Sequence, residues 1–116
     1  MKRIERRARI EAPPEALFAY LSDLDNLPEW QTGIVSAEIT SGDELGVGTT
    51  ARVVRDLMGQ RIEAPMTVTA YEPPGRLAIR SEVSGVKATA ELDMTPADGG
   101  ATDLGFAMEI RFMWSP

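Results

Sequence analysis

The chain has 116 residues, of which 43% are hydrophobic and 26% are charged, a composition typical of a globular protein with one core. It contains no cysteine and no histidine, which excludes disulfides, thiolate catalysis, histidine-dependent triads and the usual zinc sites. We therefore expect a single domain over residues 1–116, with no metal ion and no other cofactor. The sequence has no long apolar run and no signal-peptide pattern, so we predict a cytoplasmic protein without integral membrane association.

The net charge of −6 is unevenly distributed along the chain. Five basic residues and one acidic residue give the first nine positions a charge of +4, and the other 107 residues carry −10. A basic start could contact phosphate or RNA, but an acidic protein is on average repelled by nucleic acid. We favour a solvated strand face paired with acidic neighbours, and we expect no nucleic-acid partner.

The first strand is predicted over residues 2–12, where apolar and charged side chains alternate. Arg6 falls on the apolar side of this alternation, so it lies either at a strand end or at an inward-facing position. Pro13 ends the strand, and Pro14 suits the first turn of a helix, where a missing N–H costs nothing.

A short amphipathic helix follows the two prolines. Its apolar stripe recurs at spacings of three and four residues and consists of Leu17, Phe18, Leu21 and Leu24. Pro28 permits a second short helix, which starts near Leu27 and carries Trp30. Asp23 and Asp25 are interpreted as caps of this second helix rather than as metal ligands.

Everything after the helices reads as strand and turn. Six further strands are predicted over residues 34–41, 49–58, 61–71, 77–83, 86–95 and 102–112. Within 61–71, Ala70 shares the apolar side with Val68, and Pro65 indicates a bulge or an unpaired position. Consecutive hairpins predict an α+β protein with a seven-stranded antiparallel curved sheet and two short helices between its first and second strands.

The sequence also resembles a known superfamily. The residues that carry the resemblance are Ile10-x-Ala12-Pro13-x-x-x-Leu17-Phe18-x-x-Leu21-x-Asp23, Pro28-x-Trp30, and the turns at 46–49, 71–77 and 98–102. This order resembles the START-like (SRPBCC) superfamily of helix-grip proteins, and in particular its polyketide cyclase/dehydrase-like branch. The resemblance implies a sheet that wraps a long C-terminal helix, with a ligand cavity between the two.

The end of the chain departs from that pattern, because only four residues follow Phe112 and the long C-terminal helix is therefore absent or truncated. Either the chain is a fragment or altered at its end, or a second copy covers the concave face. Exposing on the order of 500 Å² of apolar surface would forgo about 12 kcal/mol. We therefore predict a symmetric homodimer, formed through the concave faces or the final strand, that buries Phe112 and Trp114.

The predicted function is binding of an apolar or amphipathic small molecule, lipid-like or polyketide-like, in a cavity on the concave face. Small and flexible side chains on the inward positions leave room for such a ligand. The candidate ligand-binding residues are Trp30, Val53, Arg55, Met66, Val68, Ile79, Ser81, Ala90, Phe106 and Met108. Arg55 is the favoured partner for a ligand carboxylate or carbonyl. Trp30 could stack on a ligand at the cavity mouth, but a tryptophan after a short helix more often fills the core, and we favour that role.

Two alternatives remain open. As in some relatives, the protein could be a polyketide cyclase, aromatase or dehydratase, with its chemistry on Arg55, Ser81, Thr102 or a buried carboxylate. The acidic residues fall on outward positions or in turns, so we assign no catalytic residue. A protein-interaction module of the Hsp90 ATPase activator type is a further alternative that rests on the resemblance alone.

Overall fold

The computed structural model describes residues 2–30, 33–40, 45–57, 59–83 and 85–112. Met58, the turn residues 42–44 and Trp114, which the sequence-based predictions include, lie outside these ranges, as does the side chain of Phe112. The predicted burial of the two aromatic residues in a dimer therefore stays a prediction.

In the described residues, seven antiparallel strands form one sheet. They are β1 (Lys2–Ile10), β2 (Ile34–Ile39), β3 (Thr50–Leu57), β4 (Gln60–Glu72), β5 (Arg76–Val83), β6 (Val86–Ala97) and β7 (Ala101–Phe112), arranged in the order β1-β7-β6-β5-β4-β3-β2. Two short helices, α1 (Pro14–Ser22) and α2 (Leu27–Trp30), connect β1 to β2. The predicted helix-grip architecture of a curved antiparallel sheet with two short helices after its first strand is confirmed.

The prolines and Asp23 define the helical segment locally. Pro13 is extended, with φ −68° and ψ 154°, and Pro14 occupies the first turn of α1, as predicted. The Asp23 carboxylate accepts a hydrogen bond from the backbone N–H of Asp25 at 3.0 Å. Asp23 therefore caps a 3-10 turn over Leu24–Asn26 that precedes α2, rather than α2 itself.

The inner face of the sheet is the face that α1 and α2 cover. The first core cluster packs α1 against β4, β5 and β6, and contains Leu17, Phe18, Leu21, Val68, Leu77, Leu92 and Met94. The second lies beneath α2 and contains Leu27, Ile34, Ala51, Val53 and Met66. Thr102, which is 0% exposed, donates its hydroxyl to the carbonyl oxygen of Ala12 at 2.7 Å, and so ties β7 to the β1–α1 connection.

One prediction within β4 is wrong. The pairing register between β4 and β5 shifts between Val68 and Ala70, which indicates a β-bulge. Beyond the shift Tyr71 pairs with Leu77, and its ring packs edge-on against Phe18 with centroids 5.4 Å apart. The bulge therefore brings Tyr71 to the inner face, and Ala70 does not continue the inward alternation of Val68.

The arginines that alternate with the inner positions of β1 form exposed ion pairs on the outer face. Arg3 pairs with Glu5 at 2.9 Å and with Glu109 at 3.4 Å, Arg7 with Asp93 at 3.3 Å and Asp103 at 3.4 Å, and Arg9 with Glu11 at 2.7 Å. Gly105 leaves the space for one of these pairs, because a Cβ there would lie 2.6 Å from the Asp93 carboxylate and 2.7 Å from the Arg7 guanidinium. The expected solvated face with acidic partners is confirmed.

The position of β7 bears on the predicted dimer. It lies between β1 and β6 and pairs with both, from Lys2–Ile110 at one end to Ala97–Ala101 at the other. A strand that is hydrogen-bonded on both sides has no free edge for another chain. Dimerisation through the final strand would therefore use the face of β7 rather than its edge, and the predicted homodimer stays a prediction.

Candidate functional site

A cavity of about 430 Å³ lies on the inner face, beside the helical segment. Its lining residues are Arg6, Arg7, Ala8, Leu21, Trp30, Arg55, Leu92, Leu104, Phe106 and Met108. We call it the open cavity, because Arg6 and Ala8 at its rim are exposed. Its volume lies within the range of about 300–1,000 Å³ that is usual for small-molecule sites.

Sheet curvature creates the open cavity. Arg6 belongs to β1, at one edge of the sheet, whereas Arg55 belongs to β3, which is sixth in the strand order. In a flat sheet five inter-strand spacings of about 4.8 Å would separate these strands. Both residues line one cavity because the sheet curls around the helical segment.

Two smaller pockets of about 30 Å³ each continue along the same face. The inner pocket is lined by Leu21, Ser22, Leu24, Leu27, Trp30, Leu45, Met66, Leu77, Ile79, Ala90, Leu92 and Phe106. The β3–β5 pocket is lined by Leu27, Ile34, Val53, Arg55, Ala64, Met66, Ile79 and Ser81. Trp30 and Phe106 border both the open cavity and the inner pocket, so their rotamers set the boundary between the two spaces.

Nine of the ten predicted ligand-binding residues line these three spaces. Four line the open cavity, namely Trp30, Arg55, Phe106 and Met108. The inner pocket adds Met66, Ile79 and Ala90, and the β3–β5 pocket adds Val53 and Ser81. Val68 lines none of them, because α1 covers it in the first core cluster and leaves it 2% exposed.

The two arginines on the inner face lack carboxylate partners within the described ranges. Arg55 is half-buried, and its register partners are the apolar Ile34 and Ile62. The Arg6 guanidinium donates to the backbone carbonyl of Glu5 at 2.8 Å and makes no ion pair in this part of the chain. Arg7 differs from both, because two acidic residues on the outer face neutralise it.

The chain matches the family described as polyketide cyclase/dehydrase and lipid transport over residues 1–116. It belongs to this family. A protein of Mycobacterium tuberculosis described as uncharacterized is 29% identical over 119 residues, which cover 100% of this chain and 82% of that protein. The predicted membership of the polyketide cyclase/dehydrase-like branch is thus confirmed.

Solved structures share the fold. A crystal structure from Deinococcus radiodurans has a TM-score of 0.78 and 24% identity, and the match covers 96% of this chain and 83% of that one. The Zhui aromatase/cyclase from a Streptomyces species has a TM-score of 0.79 and 18% identity, covering 99% and 70%. A START superfamily protein from Mycobacterium smegmatis has a TM-score of 0.77 and 15% identity, covering 98% and 81%. At these identities the likeness shows the START-like fold alone.

The two hydroxyl groups that the sequence singled out as candidates for chemistry in this family member, on Ser81 and Thr102, are already hydrogen-bonded. Ser81 donates to the carbonyl oxygen of Pro65 at 2.7 Å. Pro65 pairs with Arg52 of β3 but precedes the β4–β5 pairing, which begins at Met66, and so it is an unpaired position on that side, as predicted. Thr102 is engaged at Ala12, as described above.

Trp30 is both a core residue and a cavity residue. Its side chain packs against both core clusters and also lines the open cavity and the inner pocket. Its indole Nε1 is buried, and no described residue supplies an acceptor. A buried N–H without a partner costs about 1–3 kcal/mol, so Trp30 is held in place by packing rather than by a hydrogen bond.

The sequence-based set missed several lining residues. Leu21 was predicted only as part of the apolar core stripe of the first helix. Where such a stripe faces a space that the core does not fill, its residues also line that space. Ala8, Leu92 and Leu104 lie on inward strand positions, and this alternation is the signal that would have identified them.

Within the described residues no three acidic side chains lie close enough together to hold a metal ion. None of the helices described is long and apolar enough to span a membrane.

Proposed function

We propose that this member of the polyketide cyclase/dehydrase and lipid transport family binds an apolar or amphipathic small molecule in the open cavity. The observation that carries the proposal is a cavity of about 430 Å³ in which seven of the ten lining residues are apolar. Apolar ligand surface that leaves water for such a lining contributes about 25 cal/mol per Å². The smaller pockets are too small for a whole ligand, and they would take at most a terminal group.

Binding is better supported than catalysis by the chemistry of the lining. General acid–base work needs a titratable group held within reach of the reacting atoms. The described residues around the three spaces include no carboxylate, and the hydroxyls of Ser81 and Thr102 already donate to backbone carbonyls. A polyketide cyclase, aromatase or dehydratase is the second candidate, favoured by the family's description. A position beside polyketide synthase genes would favour it over simple binding.

A filled-cavity variant tests the proposal. Ala8→Phe places a ring at the exposed rim of the open cavity, whereas Ala107→Phe places the same ring at a position of β7 that alternates with the inward Phe106 and Met108. Fluorescence titration with Nile red, a neutral apolar dye, should show at least about tenfold weaker binding to Ala8→Phe. Ala107→Phe should bind the dye as the unmodified protein does, and thermal melts should show that both variants fold.

Two results would contradict the proposal. The first is that the unmodified protein does not bind Nile red, nor any member of a library of lipids and aromatic compounds. The second is that both variants bind the dye with unchanged affinity, which would place its site elsewhere. Native mass spectrometry of protein purified from its own host gives an independent measurement, in which we expect a bound small molecule.

A further inference from the structure

The charges of the open cavity oppose those of the protein as a whole. The chain has a net charge of −6, yet the charged residues described around this cavity are three arginines. Arg7 is neutralised on the outer face by Asp93 and Asp103. The two remaining guanidinium groups, on Arg6 and Arg55, therefore give an otherwise apolar space a positive potential.

The positive charge of Arg55 is poorly compensated by the groups around it. Arg55 is half-buried on the inner face, among the apolar side chains that line the β3–β5 pocket. A charge that loses water without gaining a partner raises the free energy of the site. The planar fork of N–H donors on arginine matches a carboxylate, which can accept two parallel hydrogen bonds.

We infer that the ligand of the open cavity is an amphiphile with an anionic head group, in the simplest case a carboxylate. Arg55 binds the head group, and Arg6 adds a second positive charge from the rim. The apolar chain lies along Leu92, Leu104, Phe106 and Met108. This inference rests on the proposed function and specifies the class of ligand.

Four probes separate the inference from the proposed function. Decanoate combines an anionic head with an apolar chain, decanol has the same chain with a neutral head, and decyltrimethylammonium has a cationic head. Acetate has the anionic head without the chain. By calorimetric titration we expect decanoate to bind about tenfold more tightly than decanol, a ratio that corresponds to about 1.4 kcal/mol. Decyltrimethylammonium should bind more weakly than decanol, and acetate weakest of all.

Matched arginine variants test which residues recognise the head group. Arg55→Met keeps the length of the side chain and removes its charge, and it should reduce decanoate affinity about tenfold. Its decanol affinity should change less than about twofold, which also shows that the variant folds. Arg6→Met should give a smaller loss for decanoate, because Arg6 is exposed. Arg80→Met is the control, since it removes the same charge from an exposed outward position of β5 between Ile79 and Ser81, and the preference for decanoate should remain.

The possible results lead to different conclusions. If decanoate and decanol bind equally tightly, the inference is wrong while the proposed function stands. If acetate binds as tightly as decanoate, the site recognises a free anion, and the inference is wrong. If Arg80→Met abolishes the preference as Arg55→Met does, the effect is one of overall charge, and the assignment of Arg55 fails. If no probe binds and Nile red does not bind either, the proposed function itself fails.

Discussion

Arg55→Met should make the ligand-free protein more stable, and this expectation follows from the same geometry that suggests ligand binding. The guanidinium of Arg55 is half-buried with no carboxylate partner in the described part of the chain, and its register partners are apolar. Methionine keeps an unbranched chain that can pack in the β3–β5 pocket, where the neighbouring lining includes Ile34 and Val53. The substitution therefore removes an uncompensated charge and retains most of the packing.

The magnitude follows from the extent of burial. A fully buried ion costs several kcal/mol even after relaxation and water penetration. Arg55 keeps part of its hydration, so we take about 1 kcal/mol as the gain in the free energy of unfolding when its charge is removed. For a chain of this length, such a gain raises Tm by about 4 °C.

A bound anionic ligand should remove the stability difference between Arg55→Met and the unmodified protein. A ligand present at about one hundred times its Kd stabilises the folded protein by about 2.7 kcal/mol. At the same ligand concentration, a variant with about tenfold lower affinity gains only about 1.4 kcal/mol. With decanoate the unmodified protein should therefore become at least as stable as Arg55→Met, whereas with decanol the variant should keep its advantage.

Urea unfolding followed by far-UV circular dichroism measures both effects, with equal m-values as the check that the comparison is valid. Arg80→Met is again the control, because surface substitutions of this kind usually change stability by less than about 0.5 kcal/mol. A ligand-free Arg55→Met protein that is less stable than the unmodified protein by more than about 0.5 kcal/mol would refute the reasoning. It would mean that the guanidinium is stabilised where it lies.

Four further predictions can be checked separately. Thr102→Val should lower the free energy of unfolding in urea by about 1–2 kcal/mol, because it leaves the partly buried carbonyl of Ala12 without its donor. Gly105→Ala should lower the free energy of unfolding by less than about 1 kcal/mol in the same assay. The new Cβ meets only the ends of the Asp93 and Arg7 side chains, which can move away. The hydrogen bond from Tyr20 to Glu29, at 2.8 Å, raises the pKa of Tyr20. The contribution of this hydrogen bond to stability is therefore full below the unfolded-state pKa of about 10 and is lost as the pH rises through the folded-state value. Spectrophotometric titration should show a late-ionising tyrosine, and Glu29→Ala, which removes both the acceptor and the negative charge, should lower its pKa towards the ordinary value. The homodimer, formed through the concave faces or the final strand, stays a prediction. Sedimentation equilibrium at micromolar concentration will decide it, and a monomer that unfolds cooperatively would contradict it.

The strands were predictable because one face of the sheet is buried. A buried face imposes a period of two on the side chains, so β6 and β7 were predicted to within two residues at their ends. The bulge in β4 was not predictable in this way, because an extra residue between Val68 and Ala70 leaves no signal in composition. As a result Tyr71 was missing from the predicted inner face.

The site was predictable only as a face of the sheet. Alternation places Val53, Val68 and Met108 equally on the inner side, but it does not say which of them α1 covers. Arg6 and Arg55 were both recognised as charges on or near inward positions, but they were not joined into one site. They lie 49 positions apart in the sequence, on strands that are not neighbours. Their proximity to one cavity comes from curvature, which no local pattern in the sequence records.

The position of β1 at the edge of the sheet has a consequence for solubility. An edge strand presents unpaired backbone groups, and a second chain can add to them and begin an aggregate. On β1, Arg3, Arg7 and Arg9 project from the outer face and Arg6 from the inner face. A second copy of β1 that approached this edge would have to accommodate these long charged side chains, of which the outer three hold acidic partners and Arg6 makes no ion pair within the described residues. The charged side chains of β1 thus disfavour edge-to-edge association, and replacing its arginines with threonine would keep the strand pattern while removing this protection against aggregation.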